Sequence, residues 1–419
     1  MKKLSKREFS LLYLLTYATV AMFFFVFDPQ GTSSTYYGSG GGRYADRVDS
    51  FSEYIVRNTI KRNVLNNDEL SLLPILTKGY NNKDYNYYPD GYQKYYSNPI
   101  LQTIPATFIA KILKLNTEKK LDIFFNLLRL TNAFLLAISV TCLYFIFCRA
   151  HGLNMEFMAP LLAGCSSGFI LFSQNLYFAS FLIIAPALLA ATQLTTRGNF
   201  NKSMIAFLGV LYFLRGYEFA TILALLTAFS IAIFTPGDIQ TKAKSSALGF
   251  MMICLAFLIS IMLHMAFVWA DDRSWSLIDV ARQTFANVRH RTASTSGVPF
   301  PFSTKFLATM NERWEHSAFS ISSGGLIISE FTIIMLMMTG LIIRLGKLSI
   351  TEKLIYLYGF LGYASWYICA YQHIMWHHMY DWYIFSLTIG ISFSLLLLLY
   401  GSFVTQHIHS MYLSFQKKG

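Results

Sequence analysis

The apolar residues of this chain fall in long uninterrupted runs, many close to the roughly 20 residues a helix needs to cross a bilayer core of about 30 Å. A backbone entering hydrocarbon must satisfy its own hydrogen bonds, so such runs fold as helices. Of the 419 residues 13% are charged, against about 25% in an average soluble domain. That excludes disorder, a collagen repeat and most soluble globular classes. The net charge of +12 and pI near 9.3 would suggest nucleic acid in a soluble protein, but the mean hydropathy is +0.42. The distribution of Lys and Arg across a membrane is therefore the better reading.

The apolar runs predict ten spans, at 9–27, 121–148, 156–172, 176–195, 203–214, 217–234, 246–270, 326–343, 354–371 and 382–404. The first follows Lys2, Lys3, Lys6 and Arg7, a signal peptide's charge layout, yet it is too long and lacks a small-residue cleavage site before Asp28. It is expected to be a retained helix with a cytoplasmic N-terminus. Lys and Arg alternate as the positive-inside rule requires: Arg149, Arg197, Lys202, Lys242, Lys244, Arg344, Lys347, Lys353, Lys417 and Lys418 fall on the cytoplasmic side, and the turns 173–175 and 372–381 carry none. The run from Ser203 to Phe234 is broken only by Arg215-Gly-Tyr-Glu218. One helix of that length would overshoot the bilayer, so two passes are expected.

The expected fold is thus an all-α polytopic membrane protein of about ten transmembrane helices, with two long extracytoplasmic loops carrying interfacial helices. The first helix lies within 1–27, a large outer loop at 28–120, further helices at 121–270, a second outer loop at 271–325, C-terminal helices at 326–404 and a cytoplasmic tail at 405–419. Long loops escape the charge rule and hold function, so the working side is expected outside. All five cysteines fall in apolar runs without CxxC spacing, and neither disulfide nor metal is assigned to them.

In the first outer loop the glycines of 31–42 lack the preceding strand and following Lys-Ser/Thr of a nucleotide loop. Beyond them Tyr44, Val48, Phe51 and Ile55 form the stripe of an amphipathic helix, expected in the membrane interface. On another face Asp46, Asp49 and Glu53 are spaced i, i+3, i+7. Clustered carboxylates raise one another's pKa and suit general base work; the structural alternative is a solvated face with Glu53 paired to Arg57. A tyrosine-rich stretch, 80–96, suits sugar stacking or an interfacial belt, and Ile104, Phe108, Ile112 and Leu115 suggest another interfacial helix.

Other polar clusters fall on the same predicted side. Arg215 and Glu218 are ionisable residues at membrane depth, functional by default unless they simply neutralise each other. Arg282, Arg289, His290 and Arg291 form a basic cluster in the second loop, fit for a lipid phosphate or pyrophosphate or for headgroup attraction. The strongest local signal is Gln372-His-Ile-Met-Trp-His-His-Met-Tyr-Asp-Trp382. In a helix His373, His377 and Asp381 would share a face, a metal set lacking the glutamate of HExxH. With His378, phosphate binding or proton transfer ranks ahead of metal; an aromatic belt is the alternative. His264 is expected within a span.

One helix, a large outer loop with acids near its start, many spans and a later outer loop together resemble the GT-C class of integral-membrane glycosyltransferases. Tyr95-Tyr-Ser-Asn-Pro-Ile-Leu-Gln-Thr-Ile-Pro105 and the histidine-rich turn resemble segments of bacterial members. The resemblance implies transfer of a sugar from a polyprenyl-phosphate carrier to a glycan, lipid or protein acceptor at the outer face of a bacterial inner membrane, without nucleic acid. By position Asp46 or Asp49 would be the catalytic carboxylate in an inverting attack, with Glu53 in the same acidic group. About eighteen residues separate the first helix from Asp46, which departs from the class pattern and keeps Asp28 as a rival. Arg215, Glu218, Arg289, His290, Arg291, His373, His377, His378 and Asp381 would bind substrate and the carrier phosphate. Metal dependence varies in the class, so the cofactor is open, a divalent metal included. An O-antigen polymerase or ligase shares the layout but not the early acids, and a transporter or flippase would favour internal repeats and broken mid-membrane helices, of which the sequence shows no convincing repeat.

Overall fold

The computed structural model describes residues 6–27, 50–65, 71, 73–77, 92–96, 101–271, 273–292, 311, 317–320, 327–370 and 380–416. These form an all-helical bundle with two short antiparallel ribbons. In order they are α1 (Lys6–Phe27), α2 (Ser50–Leu65), β1 (Ile75–Thr77) paired with β2 (Tyr92–Lys94), α3 (Thr103–Ile112), α4 (Glu118–Ala150), α5 (Ala159–Gly164), α6 (Ser167–Ser173), α7 (Phe181–Arg197), α8 (Lys202–Phe213), α9 (Ala220–Phe234), α10 (Ile239–Asp271) and α11 (Leu277–Thr292). Then follow β3 (Ser317–Ser320) paired with β4 (Ile327–Ser329), α12 (Glu330–Arg344), α13 (Ile350–Cys369), α14 (Tyr380–Phe385), a π turn (Ser386–Gly390) and α15 (Ile391–Gln416).

Among the described residues three helices are long and apolar enough to cross a membrane: Glu118–Ala150, Ile239–Asp271 and Tyr380–Ile408. Their outward side chains, such as Ile123, Leu127, Leu255, Leu258 and Met262, are apolar, as lipid requires. Several helices start where the sequence supplies caps. Thr117, Asn201 and Ser329 each accept a backbone N–H of the first turn, and Ser349 with Glu352 forms a full capping box. Close packing uses small residues. Gly209 meets Ala256, and Gly249 meets Ile231.

The break at Arg215–Glu218 reverses the chain, as expected. Along α8 the neighbours on α10 advance, Gly209 to Ile253 and Ala256, Phe213 to Phe257, and then Tyr217 to His264. Beyond the break they retreat, Ile231 to Gly249 and Thr235 to Lys242. The two helices, of 12 and 15 residues, therefore run in opposite directions beside α10.

Several expectations are corrected. The run 156–172 is two short helices, α5 and α6, broken at Cys165 and Ser166. There Ser166 donates to Ser386 (2.6 Å) and the Gly168 N–H bonds the same hydroxyl (3.1 Å). A Cβ on Gly168 would lie 2.0 Å from the Trp382 carbonyl oxygen; α6 thus seats on the last helix where its π turn widens it. That last helix continues to Gln416 through most of the expected tail. Finally, α2 begins at Ser50, and its residues from Ser52 to Asn63 are buried on every side apart from half-buried Arg57. It packs inside the structure rather than lying on a surface by one stripe. In α3, by contrast, Thr103, Ala106, Thr107 and Ala110 pack inward while Phe108, Ile109 and Ile112 face out, the layout of an interfacial helix.

Candidate functional site

The turns predicted to lie outside gather at one end of the bundle. The Leu176 N–H donates to Glu53 Oε2 at 2.6 Å, Gln102 donates to the Tyr177 carbonyl at 3.0 Å, and the Leu101 N–H to the Leu214 carbonyl at 2.8 Å. The Tyr177 hydroxyl reaches Glu218 Oε1 at 2.8 Å, and Tyr383 reaches the Ser180 carbonyl at 3.2 Å. The predicted inner segments meet at the other end. Arg149 pairs with Glu156 (3.0 Å), Met155 touches Thr405, and Arg344 pairs with Glu352 (3.1 Å), which also accepts from Tyr400 (2.7 Å).

Glu53 sits in the first turn of α2, fully buried. Arg129 of α4 places Nε at 3.2 Å and Nη2 at 2.9 Å from its Oε1, while Oε2 takes the Leu176 amide. Charge-assisted bonds of this kind are the strong ones. Arg57, the i+4 partner suggested by spacing, instead pairs with Asp122 at 3.1 Å and stands over the Phe125 ring. Glu53 and Arg57 of α2 therefore both bond across to α4, tying the first outer loop to the bundle. The sequence reading missed Arg129, although a lone charge within an apolar run was the available signal.

Asn175 shapes the next turn. Its side-chain oxygen accepts the N–H groups of Tyr177 (2.9 Å) and Phe178 (3.2 Å), a local Asx turn. Those two rings receive Arg215. Its guanidinium lies 4.6 Å from the Tyr212 ring centre, 5.5 Å from Phe178 and 5.6 Å from Tyr177, and the residue is 1% exposed. Glu218 Oε2 is 3.8 Å from Nη2, and Nη1 reaches the Tyr177 carbonyl at 3.5 Å. Among the described residues Nε and Nη2 make no hydrogen bond. The Tyr212 hydroxyl donates to the Glu218 carbonyl, and a Cβ at Gly216 would lie 2.3 Å from Glu218 Oε2, so glycine is what lets this tight pair form. Beside it Tyr217 meets His264 Nδ1 at 3.1 Å. His264 does lie within a long apolar helix, but it faces the polar turn.

Asp381, also fully buried, accepts from Tyr363 at 3.1 Å, and Tyr363 meets Tyr367 at 2.9 Å. Rings bridge it to Arg215: Tyr380 packs on Phe178 (5.2 Å) and Phe219 (5.5 Å), and Phe219 on Trp366 (4.9 Å). Glu53, the Arg215–Glu218 pair and Asp381 thus occupy one end of the bundle, brought there from three separate parts of the sequence. Asp46, Asp49, His373, His377 and His378 lie outside the described residues. Arg289, His290 and Arg291 fall in the last turns of α11, with their side chains outside the description. Among the described residues no three His, Cys, Asp or Glu side chains gather as a metal site.

No protein-family model matches this chain, and no curated protein is similar to it in sequence. Its structural neighbours are oligosaccharyltransferases of Archaeoglobus fulgidus, which belong to the GT-C class. The apo enzyme is 13% identical with a TM-score of 0.45, over 97% of this chain and 52% of that one. The archaeal oligosaccharyltransferase AglB in complex with an inhibitory peptide and a dolichol-phosphate is 12% identical with a TM-score of 0.46, over 99% and 52%. The complex with Zn and sulfate gives 12% and 0.46, over 97% and 51%. The chain spans about half the length of these structures.

Proposed function

We propose that this chain is a membrane glycosyltransferase that moves a sugar from a polyprenyl-phosphate carrier to a glycan, lipid or protein acceptor at the outer face of a bacterial inner membrane. The observation that carries this reading is the gathering of acids, an arginine and aromatic rings from four predicted outer segments at one end of an apolar bundle. In a low-dielectric site a guanidinium with unused donors strongly favours an anion, and a carrier phosphate is the anion a membrane delivers there.

In this reading Asp46 or Asp49 takes the proton of the acceptor hydroxyl. The acceptor oxygen attacks the anomeric carbon, the bond from that carbon to the carrier oxygen breaks, and its electron pair leaves on the phosphate. One displacement inverts the anomeric centre. Arg215 stabilises the leaving phosphate, with the arginines and histidine of 289–291 and the histidines of 373–378 as further ligands. Glu53, already holding Arg129 and the Leu176 amide, anchors the helix that follows Asp46 and Asp49. Its carboxylate is already engaged by three donors, so Glu53 positions rather than abstracts.

The test is transfer from a polyprenyl-phosphate sugar by purified protein, with and without a chelator to read metal dependence. Asp46→Asn or Asp49→Asn, and Arg215→Met, should each abolish transfer while the protein still inserts into membranes. Full activity in all three overturns the reading.

A further inference from the structure

A cavity of about 520 Å³ lies between α2 and the start of α4, lined by Arg57, Lys119, Asp122, Ile123, Asn126 and Arg129. Its size is that of a small-molecule site. Arg129 forms the inner wall, 5% exposed, and bonds Asn126 at 3.2 Å as well as Glu53. Arg57 pairs with Asp122, and Lys61 stands 3.6 Å from both Asp122 and Glu118. Among the described residues four cations face three carboxylates, Glu53 included, and Lys119 stands at the mouth. Lys119, exposed there, makes no ion pair among the described residues.

The surface below this mouth is apolar. Lys119 heads a stripe at i, i+4, i+8, i+11 of α4 whose other members, Ile123, Leu127 and Leu130, are 55%, 56% and 37% exposed. From Lys119 to Leu130 the stripe runs about 16 Å along the helix. The preceding helix in the chain, α3, turns Phe108, Ile109 and Ile112 outward, and carries Lys111 with Lys114 just after it. A cation-walled cavity capping an apolar stripe has the shape of a lipid: a phosphate above, a hydrocarbon chain below.

We propose that this cavity is a second lipid-phosphate site, taking the phosphate of a membrane lipid whose chain lies along the Ile123, Leu127 and Leu130 face of α4. It goes beyond the transfer reaction, because it uses none of the residues assigned to phosphate there. It also touches that site: Arg129 is shared between the cavity wall and Glu53, so a phosphate drawn to Arg129 competes with the bond that anchors α2.

The experiment is native mass spectrometry of the full chain in detergent, titrated separately with undecaprenyl phosphate and with phosphatidylglycerol, so that carrier and bulk-lipid phosphates are told apart. Lys119→Gln should weaken binding of at least one of them about fivefold, and Lys119→Gln with Arg57→Gln further. Lys120→Gln, one residue outside the lining, should bind as the parent does. Lys119→Gln breaks no described ion pair and leaves the fold intact. Parent-like binding of both lipids by Lys119→Gln overturns the proposal, as does an equal loss in Lys120→Gln. Displacement of the lipid by equimolar inorganic phosphate overturns its lipid character. Sugar transfer is a separate readout, so inactivity toward a sugar donor with lipid binding intact would fail only the glycosyltransferase reading.

Discussion

Replacing Glu53 with alanine should release the turn at 173–180 from the first outer loop. Among the described residues the carboxylate is what joins Arg129 Nε and Nη2 to the Leu176 amide, and both charged partners are almost fully buried, with side chains 2% and 6% exposed. Solvent screening is therefore no discount. Removing one partner of a buried pair costs about 3–5 kcal/mol, because the other charge is left uncompensated, and the orphaned Leu176 N–H adds to it. A local loss of about 4 kcal/mol is close to a thousandfold in an opening equilibrium. Amide hydrogen exchange on peptides covering 173–180 reads this directly, since Leu176 loses its acceptor. Glu53→Gln should fall between: the shape is kept, but the amide nitrogen must face either Arg129 or Leu176, both donors, at about 2 kcal/mol. Arg129→Met combined with Glu53→Gln should cost less than the two changes summed. Exchange at Leu176 in Glu53→Ala within about threefold of the parent would show that the pair does not hold this turn.

Arg215→Lys should lose transfer at least about tenfold, because an ammonium cannot lie flat on the Tyr212 ring and still present several donors; parent-like kcat and KM would show that a point charge suffices. Gly168→Ala should cost about 3 kcal/mol, since the new Cβ falls 2.0 Å from the Trp382 carbonyl oxygen and 2.5 Å from Ser386 Oγ; an unchanged Tm would contradict the packing of α6 on the last helix. At the inner end burial pushes the Glu352 carboxyl up, but hydrogen bonds from Ser349 and Tyr400 and the charge of Arg344 outweigh it and hold it below its ordinary value of 4.5. Its contribution to stability is then complete above that ordinary value and lost as pH falls through the lowered one. Unfolding midpoints compared between about pH 6 and pH 3 should show this acid loss in the parent and less of it in Glu352→Gln; equal slopes refute it.

The helical runs, the reversal at Arg215–Glu218 and the two-ended division of loops were legible because each is local: apolar run length is set by bilayer thickness, and loop charge by orientation. The same signals misjudged α2, whose stripe of Phe51 and Ile55 looked one-sided. Periodicity records which face is apolar, and it does not reveal that Lys61, Arg62 and Asn63 on other faces will be covered by later elements. The run 156–172 read as one span because nothing in its composition marks Ser166 and Gly168 as the seat of a helix more than 200 residues on.

The sequence by itself determined that the chain is helical and apolar in long runs, although among the described residues three helices rather than the ten predicted spans are long and apolar enough to cross a membrane. The tertiary structure decided the partners. Glu53 bonds Arg129 rather than its helical neighbour Arg57, Tyr177 meets Glu218, and Asp381 meets Tyr363. Spacing along one helix fixes only what can meet within a few residues, whereas a buried charge takes whichever opposite group the crossing of helices brings within about 3 Å, and that crossing is set by packing of the whole bundle.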